Sequence, residues 1–111
     1  MNQAFPHISP MALVHRLKDD SKATVLDVRS PAEYKAGHIP GARLAPVEEL
    51  SASNLADFVD DADIRADNPL YITCHAGKRA EQAAQALREA GLEHLALVEG
   101  GTEGWQKAGL P

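Results

Sequence analysis

Apolar and polar positions alternate in blocks along the chain, and two adjacent blocks are the most regular. Residues 70 to 74, LYITC, are apolar or β-branched without interruption. That pattern predicts a buried strand. A few residues later Ala80, Ala83, Ala84 and Leu87 fall at i, i+3, i+4 and i+7. This spacing predicts a helix over residues 79–90 with one apolar stripe, and Gly91 is placed to end it.

The same alternation runs through the rest of the sequence. Ser9 and Pro10 suit an N-cap and first helical residue ahead of Leu13, Val14 and Leu17. Residues 23–28, ATVLDV, predict a second buried strand. Residues 30–33, SPAE, have the form of a capping box, with Ser30 as cap and Glu33 reaching back to it. Gly37 keeps the helix they start short. A short strand is expected near residues 42–44, a weaker helix over 47–59, a strand over 95–98 (LALV) and a last short helix around Trp105. Strands alternating with helices predict an α/β fold: a small parallel β-sheet flanked by helices on both faces. In such sheets ligands bind beyond the carboxyl ends of the strands, and Cys74 lies at one such end.

Composition narrows the setting. At 111 residues the chain fits one domain, 1–111, which can be part of a longer native protein. It carries 16 acidic and 11 basic side chains, net −5. That balance opposes general affinity for nucleic acid or anionic lipid. Residues 1–10 lack the basic start and apolar run of a signal peptide. No stretch suits a membrane helix, so this segment is expected to make no membrane contact and to be cytoplasmic, tethered to a membrane only through chain beyond Pro111. Cys74 is the single cysteine, so an intrachain disulfide and a two-thiol cycle are both excluded. The five histidines, His7, His15, His38, His75 and His94, show no metal-ligand spacing; neither a metal nor a cofactor is expected.

The segment CHAGKR, residues 74–79, joins the clearest strand to the clearest helix. If it curls, the backbone N–H groups of His75, Ala76, Gly77, Lys78 and Arg79 can converge on one point. Gly77 permits the curl because it tolerates positive φ. The helix start contributes free N–H groups and the positive end of its dipole. Lys78 and Arg79 add formal charge. Every one of these terms favours a thiolate at Cys74 over the thiol. The cradle thus activates the nucleophile without a dedicated base.

These residues resemble the Cys-x-x-Gly-x-Arg loop of the rhodanese family of sulfurtransferases. LDVRSPAEYKAGHIPGA, residues 26–42, and EGGTEGWQKAGLP, residues 99–111, are similar to the family's other two motifs, in order and spacing. The resemblance covers nearly the whole chain. It implies sulfur transfer in two steps. The Cys74 thiolate takes the outer sulfur of a small anionic donor such as thiosulfate and becomes a persulfide. A thiol or cyanide then accepts that sulfur. Related phosphatases and arsenate reductases carry one more residue in this loop, which suits a tetrahedral oxyanion; the four residues between Cys74 and Arg79 suit a single sulfur.

Two other readings stay open. One is a persulfide relay module serving a protein thiol or a low-molecular-weight thiol. The other is a non-catalytic recognition domain, against which the intact Cys74 argues. Ala80 and Thr102 depart from the family pattern, which often has a hydroxyl residue and a bulkier side chain there. His75 and Lys78 are expected to tune the pocket mouth electrostatically. Arg79, a cation at a helix N-terminus, opposes the dipole and is expected to brace the loop or face a carboxylate. Asp27 and Arg29 can shape the site's rim, but a structural role is preferred, for instance an Arg29–Glu33 ion pair. His38 is expected to fix a turn, and the Gly100–Gly101 pair to bring the chain close to the Cys74 loop.

Overall fold

The computed structural model describes residues 5–19, 23–46, 64, 68–75 and 78–109. The expected helix over 47–59, and Ala76 and Gly77 of the cysteine loop, lie outside the described residues. Among the described residues, five strands and four helices occur in the order β1 (His7–Ile8), α1 (Pro10–Asp19), β2 (Thr24–Asp27), α2 (Pro31–Ala36), β3 (Arg43–Leu44), β4 (Leu70–Thr73), α3 (Lys78–Glu89), β5 (Leu95–Val98) and α4 (Gly101–Lys107). The strands form one sheet in the order β1-β5-β4-β2-β3. Every pairing is parallel.

Helices cover both faces because side chains alternate along each strand. Leu26, Val28, Leu70, Ile72, Leu95 and Leu97 point to one face, where they pack against Ala80, Ala83, Ala84 and Leu87 of α3. Val25, Tyr71, Ala96 and Val98 point to the other and meet Leu13 and Val14 of α1 and Trp105 of α4. Three strands are buried at every position, which fits their largely apolar sequences. The buried faces of α3, three alanines and one leucine, present little bulk to the sheet. Ala80 is 1% exposed within the cluster that also holds Cys74.

Local signals match the observed helix ends. The Ser9 hydroxyl accepts from the Ala12 amide at 3.1 Å. In α2 both halves of the capping box form: Ser30 accepts from the Glu33 amide, and Glu33 accepts from the Ser30 amide. At the end of α3 the Leu92 amide donates to Leu87 O and the Gly91 amide to Arg88 O, the paired bonds of a Schellman stop. One element escaped the pattern. β1 is a two-residue edge strand held against β5 by the Leu97 amide on Pro6 O and the Glu99 amide on Ile8 O. Two residues are too few to show a period.

Candidate active site

Cys74 directly follows β4, on the strand face that carries Leu70 and Ile72 toward α3, and it is 1% exposed. In register, Asp27 pairs with Thr73, so the end of β2 lies beside the end of β4. The first residues of α3 follow a short loop. The nucleophile candidate therefore sits where strand ends and a helix start converge, at the carboxyl edge of the sheet.

The loop is gripped from behind by α4. The Thr102 amide donates to Cys74 O at 2.7 Å, and the Glu103 amide donates to His75 O at 3.0 Å. First-turn amides have no partner within their own helix, and the α4 N-cap, Gly100, makes no side-chain cap bond. Two of those amides bind the loop instead. The approach is close enough to require glycine at position 101: a Cβ there would collide with Cys74 O and would lie 2.7 Å from His75 O. Gly101 also has φ +63°, a left-handed conformation that side chains disfavour. The Gly100–Gly101 pair thus brings the chain against the Cys74 loop.

A second contact lies in the buried layer between β4 and α4. The Thr73 and Thr102 hydroxyls are 3.0 Å apart, and Thr73 also donates to Cys74 O at 3.3 Å. Both residues are essentially inaccessible. Thr102 therefore turns its side chain inward, and Cys74 O receives one backbone and one hydroxyl donor.

Arg79 faces Glu33. Its Nη1 donates to Oε1 at 2.7 Å and its Nη2 to Oε2 at 2.9 Å, a two-point pair. Glu33 is the capping-box residue, and its Oε1 also accepts from the Ser30 amide at 3.0 Å. One carboxylate thus joins the N-terminus of α2 to that of α3. The Arg79 guanidinium foremost, then the Ser30 amide, hold the Glu33 carboxyl well below the usual carboxylate range; partial burial pushes the other way.

Arg29 does not pair with Glu33, contrary to the expectation above. Its Nε and Nη2 donate to the Asp27 carboxylate at 2.7 to 3.1 Å, and Nη2 also reaches Gly37 O at 2.8 Å. Asp27 is the nearer carboxylate, at the end of the same buried strand, whereas Glu33 is turned toward α3. Ion pair and bound carbonyl together satisfy a charge that is almost fully buried. His38 stacks on Tyr34, ring centres 3.7 Å apart, and its Nδ1 lies 2.8 Å from Tyr34 O. The Tyr34 hydroxyl donates to Ala42 O at 2.6 Å, closing the turn.

His75 is exposed, and its Nε2 lies 3.7 Å from Glu103 Oε2, which is 3.9 Å from Lys107 Nζ. Lys78 is exposed at the first position of α3. Among the described residues no group of three or more His, Cys, Asp or Glu side chains could hold a metal ion, and no helix is long and apolar enough to cross a membrane.

Residues 10–108 match the rhodanese-like domain family. The chain belongs to that family. It is 37% identical over 105 residues to the thiosulfate sulfurtransferase GlpE of Pseudoalteromonas translucida, covering 95% of this chain and 92% of the relative. It is 32% identical to the protein of the same name from Shewanella oneidensis, covering 95% and 96%. Among solved structures, the human single-domain sulfurtransferase TSTD1 superposes with a TM-score of 0.73 at 28% identity, covering 94% and 97%. In this rhodanese-like chain, sequence reasoning missed three partners of the cysteine loop: Thr73, Thr102 as a hydroxyl partner, and Glu103. Only the Gly100–Gly101 pair at the start of α4 signalled that the loop and α4 meet.

Proposed function

We propose that the chain is a sulfurtransferase that carries sulfane sulfur on Cys74. The thiolate attacks the outer sulfur of a donor such as thiosulfate. An S–S bond to Cys74 forms, the donor's own S–S bond breaks, and sulfite leaves with the electron pair. The terminal persulfide sulfur keeps one negative charge. An acceptor thiol or cyanide then takes that sulfur and returns Cys74 to its thiolate. No cofactor enters either step.

One observation carries the reading: the Cys74 and His75 carbonyls are both turned out onto α4. A trans peptide directs its N–H opposite to its C=O, so the His75 N–H faces away from α4. Fixing the carbonyls outward leaves amides of the loop available to a negative sulfur, which is what a preorganised anion site requires. Ala76, Gly77, Lys78 and Arg79 complete the cradle in this proposal. In this proposal Asp27 and Arg29 support its edge through their contacts at the end of β2, and His38 supports it through the turn it fixes on Tyr34 O after α2. A lone thiol used in this way suits a reducing, cytoplasmic setting.

Intact mass spectrometry after incubation with thiosulfate tests the proposal. The expected gain is the mass of one sulfur atom, abolished by Cys74→Ser. Hydrolysis of an aryl phosphate without sulfur uptake would sink it. Much faster discharge of the persulfide by a protein thiol than by cyanide would identify the chain as a relay module.

A further inference from the structure

Thr73 and Cys74 are neighbours in the chain, yet their side chains leave the sheet on opposite faces. Cys74 lies in the cluster packed against α3. Thr73 turns to the other face, where Trp105 of α4 packs, and its hydroxyl stands 3.0 Å from that of Thr102. Both threonines are buried. The proton count orders the pair. A hydroxyl has one proton to give. That of Thr73 goes to Cys74 O at 3.3 Å, so the bond between the hydroxyls is donated by Thr102. Accepting that bond makes Thr73 a stronger donor. The Thr102 amide closes the circuit by donating to the same carbonyl at 2.7 Å. With two donors on it, Cys74 O is fixed toward α4. The next N–H, that of His75, then faces the α3 side of the sheet, where the Cys74 side chain lies.

We propose that Thr73 and Thr102 are positioning residues for sulfur loading: their linked hydroxyls set the plane of the Cys74–His75 peptide, and so turn the His75 N–H to the side of the loop where Cys74 gains its sulfur. The role in loading rests on the sulfurtransferase reading. In that step the thiolate takes the donor's outer sulfur, the donor's S–S bond breaks, and sulfite leaves with the electron pair. Negative charge moves from Cys74 Sγ to the new terminal sulfur. An N–H already in place needs no reorientation as the charge moves. The hydroxyls act through one carbonyl oxygen and not by contact with the reacting sulfur. Valine would fill the space of either threonine, so the hydroxyls add a bond that packing alone does not require.

The test sets Thr73→Val and Thr102→Val, which keep shape and lose the hydroxyl, against Thr73→Ser and Thr102→Ser, which keep the hydroxyl and lose the methyl. Two readouts are taken on the full chain. Hydrogen exchange followed by NMR should run about fivefold faster in the valine variants at the amide of position 102, relative to that of Ala84 inside α3. Global loss of stability moves both amides together and leaves this ratio unchanged. The rate constant of persulfide formation at saturating thiosulfate should fall by about the same factor, with the half-saturating concentration unchanged. The serine variants should stay within about twofold of wild type in both readouts. Serine variants slower than valine variants would mean that the threonines only fill space, and would overturn the assignment. So would an unchanged exchange ratio, or unchanged loading in valine variants whose exchange has risen. Each hydroxyl is tested separately, so a variant that fails to fold leaves the other position to decide. Wild type that takes up no sulfur from thiosulfate or an alkyl thiosulfonate removes the sulfurtransferase reading instead, and the exchange order still decides whether the hydroxyls hold the loop.

Discussion

Glu33 and Arg79 meet through two parallel hydrogen bonds, 2.7 and 2.9 Å long, across 46 residues of sequence. Glu33 is already committed to capping α2, so its carboxylate is held in place before the guanidinium arrives. The start of α3, and with it the end of the cysteine loop, is thereby anchored to α2. The cation that ought to oppose the α3 dipole is neutralised by this partner.

Glu33→Gln keeps an acceptor for the Ser30 amide but loses the charge. Both side chains of the pair are about one-third exposed, so solvent screening limits the loss to about 1 kcal/mol at neutral pH. The folded carboxyl is held below its unfolded value, so its contribution is present above pH ~4.3 and disappears as the pH falls below that. Denaturant unfolding of wild type and variant should differ at pH 7 and converge in acid. A gap that stays constant with pH would show that the variant acts through packing.

Arg79→Lys should lower the rate of persulfide formation more than it lowers stability. An ammonium cannot reproduce the two-point fork to Glu33, so the loop end loses its orientation while charge is retained. Sulfur uptake measured by mass spectrometry beside a thermal melt separates the two effects.

Gly101→Ala should displace the Cys74 loop. The new Cβ meets two backbone carbonyls, and the left-handed φ adds about 1–2 kcal/mol of strain. Gly109→Ala is the control. Gly109 has φ +74° but nothing within 4 Å of an added Cβ, so it carries the conformational cost alone. Both variants should lower the melting temperature, and only Gly101→Ala should also suppress persulfide formation. Equal activity loss in the two would refute the steric account.

Thr102→Val keeps the shape but removes the hydroxyl that meets Thr73. The expected cost is about 1–2 kcal/mol, because a buried partner is left with one contact fewer. The Thr73→Val, Thr102→Val double-mutant cycle should show a coupling of about 0.5–1 kcal/mol; strict additivity would mean that the two hydroxyls do not support each other.

Arg29→Ala should be the most damaging of these changes to stability. It strands the Asp27 carboxylate, which is 0% exposed, and removes the donor to Gly37 O. Losing one partner of a buried pair costs about 3–5 kcal/mol. Urea unfolding should place it well below Asp27→Asn, which leaves a neutral acceptor for the remaining guanidinium.

The sequence by itself determined everything that depends on near neighbours. The period of apolar positions decides strand or helix. Ser30 and Glu33 close a capping box three residues apart, Gly91 stops α3, and the order of strand, cysteine and helix puts Cys74 at the carboxyl edge of a parallel sheet. Ala80, unexplained as a departure from the family pattern, belongs to the small-residue face that packs on the sheet. Only the tertiary structure decided which groups meet across the chain. Backbone amides are chemically alike at nearly every position, so nothing in the sequence says that those of Thr102 and Glu103 seek the Cys74 and His75 carbonyls. With 16 acidic and 11 basic side chains, charge alone does not choose Asp27 for Arg29 and Glu33 for Arg79. Those choices follow from where the strand ends and helix starts lie once the sheet has formed.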